Sequence, residues 1–531
     1  MKRFFEILPG VLAWITLISI FLLSWLLPVW VSIFIILFDV YWLLKTIFLS
    51  IHLRASFTEM KKNMKIDWIE RLKELESNRN IEKNTQPPKA IDSHNIGDDS
   101  IAWNDIYHLI IFPMYNEPYE VVRESFVRLS KANYPKEKMM VVLALEERAY
   151  ELTRETGEKI QKEFGETFHK FLITVHPSDL PGEIPGKGSN EAWAAVHAKE
   201  KIITPLGIDE HRVLVSVFDI DTQIFPEYFS RLTYVFLTTD DRMHCIYQPL
   251  PLFTNNVYSI GIFARVVSFS SSFWQMIMQS RPERLTSFSS QSTPLITLSE
   301  IGFWQKDIVS EDSRIFLQGF FRYHGNFRTV ALFYPISMDA PEGKTFWETM
   351  KNLYKQQRRW AWGVENVVYL LQGFRKDKTI SSGKRWYWTF NTIELYHSWA
   401  TNSLMIFALG WLPVFFGGHH FNETLLSYNL PHLTRLIISL SMIGVASTAV
   451  LSFFVLPPKP KSFRVIDYFI YFFQWLLIPV SLIVFGAIPA IDAQTRLMLG
   501  GKYRLGFWVT PKGRYAEAGK GSGKRPSLTR E

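Results

Sequence analysis

The chain is expected to fold as an α/β domain set between transmembrane α-helices, and three observations lead there. From Ile106 onward, short apolar β-branched runs alternate with stretches of helical spacing, the pattern of parallel strands joined by right-handed helical crossovers. Apolar runs longer than a globular core needs stand near both ends. Between them, Phe218-Asp219-Ile220-Asp221 directly follows Val213-Leu214-Val215-Ser216-Val217, a run that reads as a buried strand. The end of such a strand is where an open α/β sheet presents ligand-binding groups. Two carboxylates two residues apart share a face if the strand continues, and they repel unless a divalent cation lies between them. Taken alone, an Asp-x-Asp is more often a solvated turn than a site.

Composition narrows the class. Of 531 residues, 15% are aromatic and 47% apolar, high for a soluble protein and usual for one with membrane spans. The formal net charge of +8 is modest for this length. The basic residues flank apolar runs instead of forming a stripe, which fits anionic lipid head groups and argues against nucleic acid as a partner. Cys245 is the only cysteine, so neither an intramolecular disulfide nor a multi-cysteine metal site can form.

Residues from about Ile7 to Leu43 are nearly uninterrupted apolar sequence, too long for one crossing of a ~30 Å hydrocarbon core. Pro28 is the natural break, giving spans at roughly Pro9–Leu27 and Val29–Leu49. Lys2 and Arg3 precede them and Arg54, Lys61, Lys62 and Lys65 follow, which places both outer ends in the cytoplasm. A signal peptide does not fit, because the apolar region is too long and no small-residue cleavage site precedes Pro28. From Met60 to Leu75, Ile66, Trp68, Ile69, Leu72 and Leu75 recur at helical spacing among charges, as in an interfacial helix or a solvated one. Asn78 to Asp105 is polar, contains Gln86-Pro87-Pro88 and reads as a linker. Strands are then predicted at Ile106–Phe112, Met139–Leu145, Phe171–Val175 and Val213–Val217. The intervening helices end near Leu129 and Phe164, and a third covers about Glu191–Ile203.

Further on, Ser310-Glu311-Asp312 lies among apolar neighbours, and Gln356-Gln357-Arg358-Arg359-Trp360 falls on a helical pattern running through Trp347, Met350 and Tyr354. Singly these are unremarkable. In order, the strand-end acid Glu146, Asp219-x-Asp221, Glu311-Asp312 and Gln356-x-x-Arg359-Trp360 resemble the D, DxD, TED and QxxRW series of family 2 glycosyltransferases. The closer resemblance is to the membrane-integrated, cellulose-synthase-like group that contains cellulose, chitin and hyaluronan synthases, over roughly Ile106 to Lys512. Gly186-Lys187-Gly188-Ser189-Asn190 resembles the segment of that family that touches the donor diphosphate, and its glycines let backbone amides approach phosphate. Phe507-Trp508-Val509-Thr510-Pro511-Lys512 resembles the FxVTxK gating loop. The chain departs from the pattern at Glu146, where Asp is usual, and at Ser310, where Thr is usual; a carboxylate and a hydroxyl are retained.

The resemblance implies a GT-A-type nucleotide-sugar-binding domain and an inverting transfer with Asp312 as general base, since a sugar hydroxyl is a poor nucleophile near neutral pH. Mg2+ or Mn2+ held by Asp221, together with Lys187 and Arg359, would neutralise the leaving nucleoside diphosphate. Glu146 and Asp219 would meet base and ribose, Gln356 the acceptor or diphosphate, Trp360 an acceptor sugar by stacking, and Thr510 and Lys512 the diphosphate. Glu311 would support these groups without a direct role. The implied partners are a nucleotide-sugar donor, a UDP-sugar ahead of a GDP-sugar, a glycan or lipid-linked acceptor, and membrane lipids.

The expected organisation is a transmembrane hairpin at 1–50, an interfacial helix and linker at 51–105, a cytoplasmic catalytic domain at 106–380, a second transmembrane region at 381–495 and a gating-loop-like segment with a basic tail at 496–531. In that second region, spans are predicted at Trp399–Phe416, Leu433–Leu456 and Ile466–Ile491, with Lys459 and Lys461 on the cytoplasmic side. Five spans would put the tail outside, whereas the gating-loop resemblance puts it inside the cytoplasm, and the cytoplasmic placement is adopted. Pro479 and Pro489 leave room for a tilted or re-entrant piece, and Tyr387–His397 for another crossing. Three functions stay open: a synthase that polymerises a glycan at the cytoplasmic (plasma) membrane, a transferase that adds one sugar to a lipid or lipid-linked acceptor, and an inactive scaffold. The complete acidic set argues against the last, because buried carboxylates are costly to desolvate.

Overall fold

The computed structural model describes residues 1–85, 101–506 and 508–511. Most of the predicted linker and Lys512 lie outside the described residues. Eight strands form one sheet: β1 (Tyr107–Met114), β2 (Met139–Glu146), β3 (Lys170–His176), β4 (Val213–Val217), β5 (Gln223–Ile224), β6 (Cys245–Leu252), β7 (Ser292–Pro294) and β8 (Arg328–Ser337), in the order β3-β2-β1-β4-β7-β6-β8-β5. The first four strands are mutually parallel, as their alternation with helices predicts. Beyond β4 the sheet is mixed, with β7 antiparallel to both β4 and β6. A three-residue strand carries no pattern that would announce it in the sequence.

The parallel half is buried on both faces, which is why β2 and β4 are almost continuously apolar. Ile110, Phe112, Val141 and Leu143 pack on one side with Phe126 and Leu232, while Leu109, Ile111, Met140 and Val142 pack on the other with Ala192, Ala195, Ile315 and Phe316. Helices Lys187–Ala198 and Glu311–Arg322 therefore lie on the same face of the sheet. Gly319 keeps the second of them close, since a Cβ there would stand 2.4 Å from the ring of Phe327, just before β8. This approach fixes the height at which the start of that helix meets the sheet edge.

Four helices among the described residues are long and apolar enough to cross a membrane: Lys2–Leu26, Pro28–Asn63, Leu425–Val455 and Val465–Leu499. Pro28 opens the second at a position where its missing N–H costs nothing. Side chains such as Trp30, Leu37 and Leu44 are exposed on these helices, as a hydrocarbon surround requires. The predicted span Trp399–Phe416 is not one continuous helix. Its residues divide between the end of helix Ser382–Ala408 and the short helix Leu412–Phe416. The longer of these carries Lys384, Arg385, Asn391, Glu394 and His397, too polar a set to count with the four.

Helix Trp68–Thr85 also departs from an interfacial reading. Trp68 and Leu72 are buried in the core of the α/β domain, with Trp68 5.0 Å from Tyr234 between ring centres and under the Arg231 guanidinium. Its apolar face is covered by protein, because helix Tyr228–Thr238 offers an aromatic surface at that edge.

Gly319→Ala is expected to lower the thermal midpoint despite alanine's better helix propensity, because the ring of Phe327 is buried and overpacking typically costs ~1–3 kcal/mol against ~1 kcal/mol gained in propensity. A thermal melt of the purified variant checks this; an unchanged or higher midpoint would mean that the ring moves aside freely.

Candidate active site

The carboxyl ends of the parallel strands supply the first groups. β4 does not continue through the Asp pair: Thr222 N–H donates to Asp219 O at 2.8 Å and closes a turn. The two carboxylates consequently part. Asp219 lies 2.9 Å from Lys187 Nζ, whereas Asp221, 1% exposed, accepts from the backbone N–H of Asp339 at 2.8 Å just past β8. The backbone carbonyl of Asp221 also accepts from Asn255 Nδ2. Glu146 at the end of β2 is buried and paired with Arg148, whose guanidinium stacks over Tyr115 at the end of β1. Asn190 donates to the β2 carbonyl of Ala144 at 2.8 Å and ties the Lys187 helix to this edge.

Lys187 is the meeting point. Its ammonium lies 2.9 Å from Asp219, 3.0 Å from Asp312 and 3.4 Å from Glu191, with Ser289 Oγ also at 3.4 Å. Burial works against the charge, but Asp219, Asp312, Glu191 and Glu311 outweigh it and hold the lysine protonated well above its ordinary range. The same crowding acts on the acids. Burial, then the neighbouring Asp312, push Glu311 up to about 8, with Lys187 and Arg359 opposing. Glu191, wholly buried, is also raised, first by burial. Gly188 makes the convergence possible, since a Cβ there would stand 2.9 Å from Cβ of Glu311.

Glu191, Glu311 and Asp312 bring carboxylate oxygens within 4.8 Å of one another, a group able to hold a metal ion. Among the described residues, Oε2 of Glu191 and Oε1 of Glu311 are buried without a hydrogen-bond partner, and carboxylate oxygens are hard donors suited to Mg2+ or Mn2+. Asp221 is not in this group. Glu191 was not singled out in the sequence; its spacing of four from Lys187 on a helix is the signal that could have found it.

Helix Phe346–Ala361 brings the Gln356-x-x-Arg359-Trp360 residues to the same region. Its two arginines diverge: Arg358 pairs with Asp492 of helix Val465–Leu499 at 2.8 Å, and Tyr354 donates to the same carboxylate at 3.0 Å. Arg359 lies on the side of Glu311, whose acidity it raises. Gln356 is buried, and Trp360 packs 5.9 Å from the ring of Phe253. Ser310 Oγ donates to Glu365 at 2.6 Å and Trp362 Nε1 donates to the other oxygen at 3.1 Å, so a hydroxyl before Glu311-Asp312 ties that turn to the segment after Trp360. Near the C-terminus, the Trp508 ring lies 5.0 Å from Lys355 Nζ on the same helix, and Thr510 is buried. Trp508 thus meets the helix that carries Gln356 and Arg359, while Phe507 and Lys512 lie outside the described residues.

A pH test follows from Glu311. Its carboxyl keeps a proton to about 8 in the folded chain and releases it near 4.5 when unfolded, so the folded state loses relative stability as pH rises between those values. Glu311→Gln is expected to flatten the fall in thermal midpoint across that window in metal-free buffer. An identical pH profile in the variant and the parent would show that Glu311 is ionised in the native state.

The family model for glycosyl transferase family group 2 matches residues 214–485, just over half of the chain. No curated protein matches it in sequence. Among solved structures it is similar to the mannosyltransferase PcManGT from Pyrobaculum calidifontis in complex with GDP-Man and Mn2+, at 12% identity, covering 82% of this chain and 96% of that chain with a TM-score of 0.39. It is also similar to residues 1–349 of S. aureus TarS in complex with UDP-GlcNAc, at 15% identity, covering 66% of this chain and 91% of that chain with a TM-score of 0.32. With half the chain matched and a GT-A-like mixed sheet carrying the acidic residues at its edge, the chain belongs to glycosyl transferase family group 2, enzymes that transfer sugar from a nucleotide-sugar donor.

Proposed function

We propose that this protein is an inverting, membrane-integrated glycosyltransferase of the cellulose-synthase-like group that extends a glycan from a nucleoside-diphosphate sugar, a hexose carried on UDP ahead of GDP. The observation that carries the proposal is the Lys187 ammonium held at 2.9 and 3.0 Å from Asp219 and Asp312, which joins motifs from three distant parts of the chain in one place. In this reading Asp312 accepts the proton of the acceptor hydroxyl as its oxygen bonds to the anomeric carbon. The bond from that carbon to the diphosphate breaks with inversion, and the nucleoside diphosphate leaves. Lys187, Arg359 and the amino-terminal end of helix Lys187–Ala198 face the departing charge. Lys512, outside the described residues, and Thr510 would join them.

Glu146 and Asp219 take the base and ribose, with the Tyr115–Arg148 stack beside them. Gln356 and Trp360 take the acceptor, the indole backed by Phe253. A divalent cation would supply charge neutralisation at the diphosphate. By resemblance Asp221 would hold it, and by proximity Glu191, Glu311 and Asp312 would. The domain organisation, with a catalytic region at 106–380 between helical regions at 1–50 and 381–495, fits four candidate spans, and an even number returns both ends to the cytoplasmic side. Trp508 beside Lys355 supports the tail on that side. The small number of spans also favours a second reading, transfer of one sugar to a lipid-linked acceptor.

Asp312→Asn is expected to lower nucleoside-diphosphate release by at least ~10²-fold while donor binding measured by calorimetry is kept, since general base catalysis contributes ~10²–10⁴-fold. Near-parental turnover would remove Asp312 from the role. The same assay in EDTA is expected to show no release, and full activity there would exclude a metal requirement. Product length decides between the two transfer modes. A ladder of extended glycans from a UDP-sugar in reconstituted vesicles is the expected result, and a single added sugar on an extracted lipid would establish the second.

A further inference from the structure

The connection between the last two candidate spans borders an apolar groove. Phe453, at the end of helix Leu425–Val455, and Tyr468, Phe469, Phe472 and Phe473, at the start of helix Val465–Leu499, line a groove of about 420 Å³ together with Lys459 from the loop between them. Five rings and one ammonium make a surface that is apolar along its length and cationic at its end. Phe453 and Tyr468 stack at 6.0 Å between ring centres, and Lys459 Nζ lies 4.2 Å above the Tyr468 ring while donating to its hydroxyl at 2.6 Å. Phe469 and Phe473 are 56% and 55% exposed among the described residues.

The charges beside the groove are mostly positive. Lys459, Lys461 and Arg464 are exposed on the loop. The nearest carboxylate in sequence, Asp467, accepts from the backbone N–H of Arg464 at 2.7 Å and so caps the following helix. The loop also leans on the α/β domain: Tyr258 donates to the carbonyl of Pro457 at 2.6 Å, and Tyr471 donates to the carbonyl of Val257 at 3.1 Å. The groove therefore opens at the end of the spans that faces the catalytic sheet. Three residues before Tyr258, Asn255 donates to the Asp221 carbonyl.

We propose that this groove binds an acidic phospholipid, one acyl chain among the phenylalanines and the phosphate of the headgroup over Lys459, with Lys461 and Arg464 adding to the attraction. The inference rests on the reading of the four apolar helices as membrane spans and is independent of the sugar chemistry. The rings offer an acyl chain an apolar surface at the end of the span, and a net-negative headgroup matches the excess of Lys459, Lys461 and Arg464 over Asp467, which a zwitterionic headgroup leaves unmatched.

The test uses the full chain purified in detergent and titrated with phosphatidylglycerol or phosphatidylcholine under native mass spectrometry, alongside Lys459→Ala and Lys459→Arg. Phosphatidylglycerol is expected to bind more tightly than phosphatidylcholine. Lys459→Ala should weaken it roughly fivefold, the equivalent of ~1 kcal/mol for one basic residue near an anionic surface, and Lys459→Arg should restore it. Nucleoside-diphosphate release in detergent by both variants confirms that they fold. Equal affinity for the two lipids, no change in Lys459→Ala, or binding of a polyprenyl phosphate without phosphatidylglycerol would overturn the proposal. Alkaline carbonate extraction of cell membranes separates the two layers of the argument. Release of the chain would bring down the membrane reading and this site with it, whereas retention without lipid preference would bring down the site alone.

Discussion

The buried ammonium of Lys187 is the constraint on which the arrangement of the site depends. A lysine taken out of water is stable as a cation only where carboxylates compensate it, and here they come from the turn after β4, from the next turn of its own helix and from the start of helix Glu311–Arg322. Those segments must converge to within hydrogen-bonding distance, and Gly188 against Glu311 shows how little room is left. The relation also runs the other way. Four acidic groups gather around this one lysine; burial first, and then the neighbouring acids, raise the Glu191 and Glu311 carboxyls, which prepares the place for a cation or for protons.

A second layer of contacts carries the geometry of this centre to the helical part of the chain. Ser310 and Trp362 both bond to Glu365, and Arg314 donates to Asn366 at 2.7 Å, so helix Glu311–Arg322 is fastened along the segment that follows Trp360. One turn earlier, Arg358, Tyr354 and Arg496 gather on Asp492 in the last apolar helix. Helix Phe346–Ala361 thus lies between the sheet-bound acidic centre and the apolar helices. The pairing of Arg358 leaves Arg359 as the guanidinium on the side of Glu311.

Much of this was legible in the amino-acid order because periodicity reports burial. The run Val213–Val217 is strand β4 as predicted, and the other parallel strands fall within a residue or two of their expected limits, since strands buried on both faces must be continuously apolar. The break at Pro28 was legible for the same kind of reason, a proline being tolerated where a helix starts. Glu146, Lys187, Asp219, Asp221, Asp312, Gln356, Arg359 and Trp360 stand out by their order along the chain, which resembles that of family 2 glycosyltransferases, and the family model matches residues 214–485.

Other features depend on contacts between segments far apart, which no local pattern encodes. Whether Asp219 and Asp221 face one cation or part company was decided by the turn at Thr222 and by Asp339 arriving from beyond β8. Glu191 looks like any helical glutamate until the fold buries it beside Asp312 and Glu311. The apolar face of helix Trp68–Thr85 is equally suited to lipid or protein, and it is the aromatic edge offered by Tyr234 that settles it. Composition and spacing, being properties of neighbours in the chain, determined the elements, the apolar helices and the residue types available for catalysis. Which carboxylate meets which cation is a property of neighbours in space, and only the tertiary structure decided it.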